Sequence, residues 1–222
     1  VAALAKAFNC DLQVYDIGIK TDLNFPLVRV HKIRHETEDM LHKPAMSIAE
    51  AREAVQYGFD MGVKAFEEGN QVIATGELGM GNTTAASAII AALLNKTAAE
   101  VVGRGSNISD ERLKHKIDVV NRSLERANLK ENESPDPLIV LSEVGALELG
   151  AMAGAMLSAG AMNKPVLLDG FLSYSAALLA NSIKPGVVNY MIPTHKSKEK
   201  GSRIVLDALG LDPYIDINMC VG

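Results

Sequence analysis

One segment constrains the fold more than any other. Gln71-Val72-Ile73-Ala74-Thr75 is an apolar run of strand length. Gly76-Glu77-Leu78-Gly79-Met80-Gly81-Asn82-Thr83-Thr84 is a glycine-punctuated turn, and Ala85 to Leu94 is apolar enough for a buried helix. A strand, a tight turn and a helix start leave backbone N–H groups aimed at one place, which suits a phosphate without a dedicated cation. The turn also carries a carboxylate, Glu77, which repels phosphate and is better suited to gripping a hydroxyl or a proton. The segment reads as half of a sugar-phosphate site.

The rest of the chain fits one α/β nucleotide-phosphate-binding domain over residues 1–222. Hydrophobic residues make up 48% and charged residues 22%, enough for a full core under a polar surface. Aromatics are only 5%, with no Trp, which suits helices packed closely on a sheet. A net charge of −5 argues against nucleic acid as a partner, because that needs an extended basic face. Cys10 and Cys220 read as reduced thiols of a cytoplasmic protein. No apolar run reaches the roughly 18 residues of a membrane span. The chain opens inside a helical pattern, without Met or an N-cap, and closes at Met219-Cys220-Val221-Gly222 without a capping device. Both ends read as cut, so the expectation is the central portion of a longer polypeptide.

Along the chain, residues 12–19 and 27–33 read as strands. Ser47 with Glu50 three residues on is a capping box, opening a helix that stops at Gly69-Asn70. Ser109-Asp110-Glu111 opens an amphipathic helix through Leu113, Ile117, Val120 and Leu124, followed by a surface loop at 130–137. Residues 147–161, rich in Ala, Gly and Met, read as a helix tightly packed on its neighbours. A strand at 165–169, a helix at 172–181, a strand at 188–192 and a helix from about Ser197 complete the alternation. Such alternation predicts a parallel sheet with helices on both faces. Ligands of these sheets sit at the carboxyl ends of strands, where Glu77, Asp169 and His195 collect.

Each candidate has a plainer alternative. The first glycine turn is neither a Walker loop nor a dinucleotide fingerprint. The second, Val101 to Asn107 with Gly103 and Gly105, precedes the 109–128 helix and by itself reads as a loop rather than a site, but two such turns in one α/β chain favour a shared anion site. Lys116, about two turns into that helix, reads on spacing alone as a solvated lysine rather than a ligand. Asp169 suits a ribose hydroxyl or a helix cap, and Ser197 a phosphate or an N-cap. The histidines show no metal-ligand spacing, and neither metal nor cofactor is expected.

Taken in order, Gly76 to Thr84, Val101-Val102-Gly103-Arg104-Gly105, Lys116 to Val120, Leu167 to Ala177 and His195 to Gly201 resemble the nicotinate-nucleotide:dimethylbenzimidazole phosphoribosyltransferases. The resemblance covers essentially the whole chain. It implies a flavodoxin-like or Rossmann-like domain, with a smaller helical domain from the chain ends partly missing, and a homodimer. It also implies a reaction in which nicotinate mononucleotide and 5,6-dimethylbenzimidazole give α-ribazole 5′-phosphate and nicotinate. The phosphate falls on Leu78, Gly79, Met80, Gly81, Gly105, Lys116 and Ser197, with Asn82 and Gly103 in the same binding set. Glu77 is assigned to the ribose, and Glu148 and Asp169 line the cleft.

The chemistry is consistent with those residues. A pyridinium leaving group already carries positive charge, so its departure needs no metal, and the chain lacks the Asp-Asp pair of enzymes that use pyrophosphorylated ribose with Mg²⁺. Carboxylates such as Glu77 and Asp169 favour a positive sugar-like transition state. Attack opposite nicotinate inverts the anomeric carbon, and the entering base loses its N–H proton to a general base. In the family that base is a glutamate directly after the position of Gly222. The usual Arg-Leu appears here as Cys220-Val221, and the usual Gly-Gly-Phe as Gly145-Ala146-Leu147. The expectation is a chain that binds the sugar phosphate but turns over poorly or not at all. Two alternatives stay open: a non-catalytic nucleotide-binding module, and a related transferase acting on another base.

Overall fold

The computed structural model describes residues 1–105, 108–130 and 132–217. Ser106 and Asn107 of the second glycine turn, Cys220 and the 218–222 stretch lie outside the described residues. The elements run α1 (Ala2–Ala7), β1 (Val14–Asp16), β2 (Val28–Val30), α2 (Ile48–Glu67), β3 (Ile73–Thr75), α3 (Asn82–Leu93), α4 (Ala98–Val101) and α5 (Asp110–Arg126). They continue through α6 (Pro137–Val144), α7 (Leu147–Ala161), β4 (Val166–Leu168), α8 (Gly170–Ile183), a 3-10 turn at Val187–Tyr190, β5 (Met191–Pro193) and α9 (Gly201–Leu209).

The expected parallel α/β architecture is present, but the strands are shorter than their apolar runs and divide between two sheets. β3, β4 and β5 form a parallel sheet in that order, flanked by helices. β1 and β2 pair with each other, also in parallel. Two neighbouring parallel strands need a crossover, and here a buried carboxylate organises it without a helix. Asp16 Oδ1 accepts from the amides of Gly18 (3.1 Å) and Ile19 (2.9 Å), while Lys32 Nζ forms an ion pair with Asp16 Oδ2 at 3.0 Å and donates to the carbonyls of Ile19 and Thr21.

The core is built from helices that are apolar all round. In α3 every residue from Ala85 to Ala92 is buried, and in α8 every residue from Ser173 to Ala180. α2 buries Ala51, Ala54, Gly58, Gly62 and Phe66, one stripe at helical spacing. That stripe meets α7 backbone to backbone. A Cβ on Gly58 would lie 1.9 Å from the Ala151 carbonyl oxygen, and one on Gly154 would lie 1.9 Å from that of Val55. Glycine is required at both positions for lack of space. Among the described residues no helix is long and apolar enough to cross a membrane.

Three local expectations change. The 130–137 stretch is not loop throughout: Asp136 accepts from the amides of Leu138 and Ile139, and Pro137 at the first helical position opens α6. Residues 188–190 form a 3-10 turn, and the strand begins only at Met191. Ser197 does not cap a helix. The Lys196 amide is still bonded to the Ile215 carbonyl at 2.9 Å, which keeps the backbone extended there, and Ser197 Oγ accepts from the Glu199 amide instead. The helix starts at Gly201.

Candidate functional site

Three strand ends supply one edge. Thr75, Leu168 and Pro193 are in register, so Gly76, Asp169 and Thr194 leave the sheet side by side. Thr75 Oγ1 and Ser173 Oγ, both buried and 2.9 Å apart, tie the end of β3 to the start of α8.

After β3 the chain turns through Gly81, whose φ of +78° only glycine adopts readily, into α3. Leu78 and Met80 project their side chains fully into solvent, so any part they take in binding is through the backbone. Glu77 turns back over the loop: its Oε2 accepts from the Gly79 amide and from Asn82 Nδ2. The other hydrogen of Asn82 Nδ2 goes to Glu148 Oε1 at 3.0 Å, so buried Asn82 bridges two carboxylates. Burial raises the Glu148 carboxyl above the ordinary glutamate range. The Glu77 charge pushes the same way, against the hydrogen bond from Asn82. The Gly79 amide, expected to face a phosphate, is thus engaged by the nearest carboxylate.

The second turn shows the same pattern. Gly105, at φ +54°, donates its amide to Glu199 Oε1 (2.7 Å) and Oε2 (3.1 Å). Gly103 makes the space, since a Cβ there would lie 2.3 Å from Glu199 Oε1. Lys116 is not solvated. Its Nζ donates to Thr83 Oγ1 at 2.9 Å and to the Gly103 carbonyl at 3.4 Å. Burial holds its pKa below the ordinary lysine value, partly offset by the Glu199 charge. Asn82 and Thr83, the first residues of α3, therefore join the carboxylate half of the site to the ammonium half.

Asp169 and His195 form a third group. Asp169 stands at the N-cap of α8, but its side chain makes no capping bond and is 71% exposed, 3.6 Å from the Nδ1 of buried His195. Tyr174 donates to the His195 carbonyl, and its phenol is pushed up to about 12 by burial and then by the Asp169 charge. Among the described residues no three His, Cys, Asp or Glu side chains converge as a metal site requires.

The structure therefore joins Glu77, Gly79, Asn82, Gly103, Gly105, Lys116 and Glu148 in one hydrogen-bonded region. Asp169, at the neighbouring strand end, makes no bond to it among the described residues, and Ser197 reaches it only through Glu199, whose amide donates to Ser197 Oγ. Sequence reasoning misses Thr83 and Glu199. In the sequence Thr83 is one more residue of the turn, and Glu199 is part of a charged loop.

Over residues 1–222 the chain matches the family model described as phosphoribosyltransferase. The chain belongs to the nicotinate-nucleotide–dimethylbenzimidazole phosphoribosyltransferase family. Proteins of that name from Chloroflexus aggregans and Acetivibrio thermocellus are 41% and 37% identical to it, each over 100% of this chain and 62% of the relative. CobT from Thermus thermophilus superposes with a TM-score of 0.92 at 38% identity, covering 99% of this chain and 65% of that one. The chain thus spans less than two thirds of the phosphoribosyltransferases it matches.

Proposed function

We propose that this chain carries the phosphoribose-binding part of an enzyme that transfers ribose 5-phosphate from nicotinate mononucleotide to 5,6-dimethylbenzimidazole. The products are α-ribazole 5′-phosphate and nicotinate. The observation that carries the reading is the pairing of opposite demands at one helix start. A buried ammonium and a glycine amide lie on one side of Asn82-Thr83, and two carboxylates lie on the other. A phosphate monoester needs the first set and a ribosyl cation the second.

In this scheme Lys116, with the amide of Gly105, takes the phosphate, and Leu78, Gly79, Met80, Gly81, Gly103 and Ser197 border it. Glu77 holds the ribose and stabilises positive charge at the anomeric carbon as neutral nicotinate nitrogen departs. Glu148 keeps Asn82, and through it Glu77, in place. Asp169 lines the cleft from the next strand end. Attack from the opposite face inverts the anomeric carbon, with the proton of the entering base passing to a general base. The family resemblance implies that the enzyme works as a homodimer in the cytoplasm.

The test is incubation of the complete protein with nicotinate mononucleotide and a panel of bases, with products identified by mass. Formation of the α-ribosyl product, lost in Glu77→Gln, supports the assignment. Binding of the mononucleotide without any product from any base refutes the transferase reading.

A further inference from the structure

Glu199 lies where an anion from outside is expected. Its carboxylate spans the Gly105 amide through both oxygens, in space that exists only because residue 103 has no side chain, and it sits in the field of Lys116. The backbone beneath it is fixed. Its N–H donates to Ser197 Oγ at 3.3 Å, and its carbonyl accepts from the Ser202 amide at 3.0 Å. The carboxylate can therefore leave by side-chain rotation alone, without moving α9.

We propose that Glu199 is an internal competitor at the phosphoribosyl site: its carboxylate holds the Gly105 amide beside Lys116 until a phosphomonoester displaces it. This rests on the phosphoribosyl reading above. A carboxylate and a phosphate dianion cannot share one amide and one buried ammonium, because like charges at contact repel strongly in a partly desolvated site. Displacement takes the same toll on every anion. A ligand that also reaches Glu77 through its ribose hydroxyls recovers that cost, whereas a small free anion does not. Glu199 thus lowers both affinities by one factor, which takes the weaker ligand, inorganic phosphate, out of its binding range while ribose 5-phosphate still binds.

The experiment is calorimetric titration of ribose 5-phosphate and of inorganic phosphate into wild type, Glu199→Gln and Lys116→Gln, with folding checked by circular dichroism. Gln keeps an acceptor for the Gly105 amide and removes the charge. Ribose 5-phosphate should bind Glu199→Gln on the order of tenfold more tightly than wild type, and inorganic phosphate should gain by a similar factor. Unchanged or weaker binding to a folded Glu199→Gln overturns the proposal. If that variant does not fold, Glu199→Asp, which withdraws the carboxylate by one methylene, is held to the same criterion. In wild type itself the Gly105 amide resonance must shift when ribose 5-phosphate binds, and an unshifted resonance in the bound protein also overturns it. Wild-type binding that is lost in Lys116→Gln but not gained in Glu199→Gln removes the role of Glu199 and leaves the transferase reading intact. Absence of binding to all three proteins removes both.

Discussion

Replacing Gly154 by alanine sets two effects of opposite sign against each other. In a solvated helix the change stabilises by about 1 kcal/mol, because alanine restricts the unfolded chain and favours the helix. At this position the new methyl would lie 1.9 Å from the Val55 carbonyl oxygen and 2.7 Å from the Phe59 nitrogen. Comfortable contact needs about 3.5 Å, so α2 and α7 must part by roughly 1.5 Å. A gap of half that size already forfeits a quarter or more of each pairwise attraction along the seam, and overpacking a tight interior costs about 1–3 kcal/mol. The obstruction is backbone, which cannot rotate away, so the upper figure applies, and the net loss is about 2 kcal/mol after the helix gain is subtracted. Urea unfolding followed by far-ultraviolet circular dichroism measures it. Gly76→Ala serves as the control, because a Cβ there meets nothing within 4 Å. A Gly154→Ala protein as stable as wild type, or more so, would falsify the backbone-to-backbone packing of α2 on α7.

Other substitutions have defined outcomes. Glu148 has a raised folded pKa, so its carboxyl favours the fold at pH values below the ordinary glutamate range, and that contribution is lost as pH rises through the folded value. Glu148→Gln should therefore melt higher than wild type at pH 7 and alike at pH 4; an equal offset at both pH values contradicts the assignment. Lys116→Met should lower affinity for ribose 5-phosphate at least tenfold, the loss of one charged hydrogen bond, while its melting temperature holds or rises because a desolvated charge is gone. A collapse of the fold would instead make Lys116 structural. Asp136→Ala removes the acceptor of the Leu138 and Ile139 amides at the start of α6 and should cost about 1 kcal/mol in chemical denaturation. An unchanged midpoint counts against that cap.

What can be read from the sequence is whatever depends on neighbouring residues. The Ser47–Glu50 box is satisfied locally and appears as expected, and the Leu147–Ala161 helix has the expected bounds because composition alone specifies close packing. The polar residues at strand ends follow from the alternation of strand and helix. The cap at Ser197 fails because a distant partner, Ile215, holds the backbone extended. The separate pairing of β1 with β2 is invisible in the sequence, because nothing local in an apolar strand names its partner. Glu199 escapes for the same reason: its bond to the Gly105 amide spans 94 positions. The start of α6 is legible in Asp136-Pro137 but is obscured by the polar residues before it.

The bonds at the start of α3 reach 33 positions along the chain to Lys116 and 66 to Glu148. No short peptide excised from this protein can reproduce such an arrangement. Capture of a phosphorylated sugar should therefore slow amide hydrogen exchange at all three strand termini together, as one cooperative unit, rather than at the glycine turns alone.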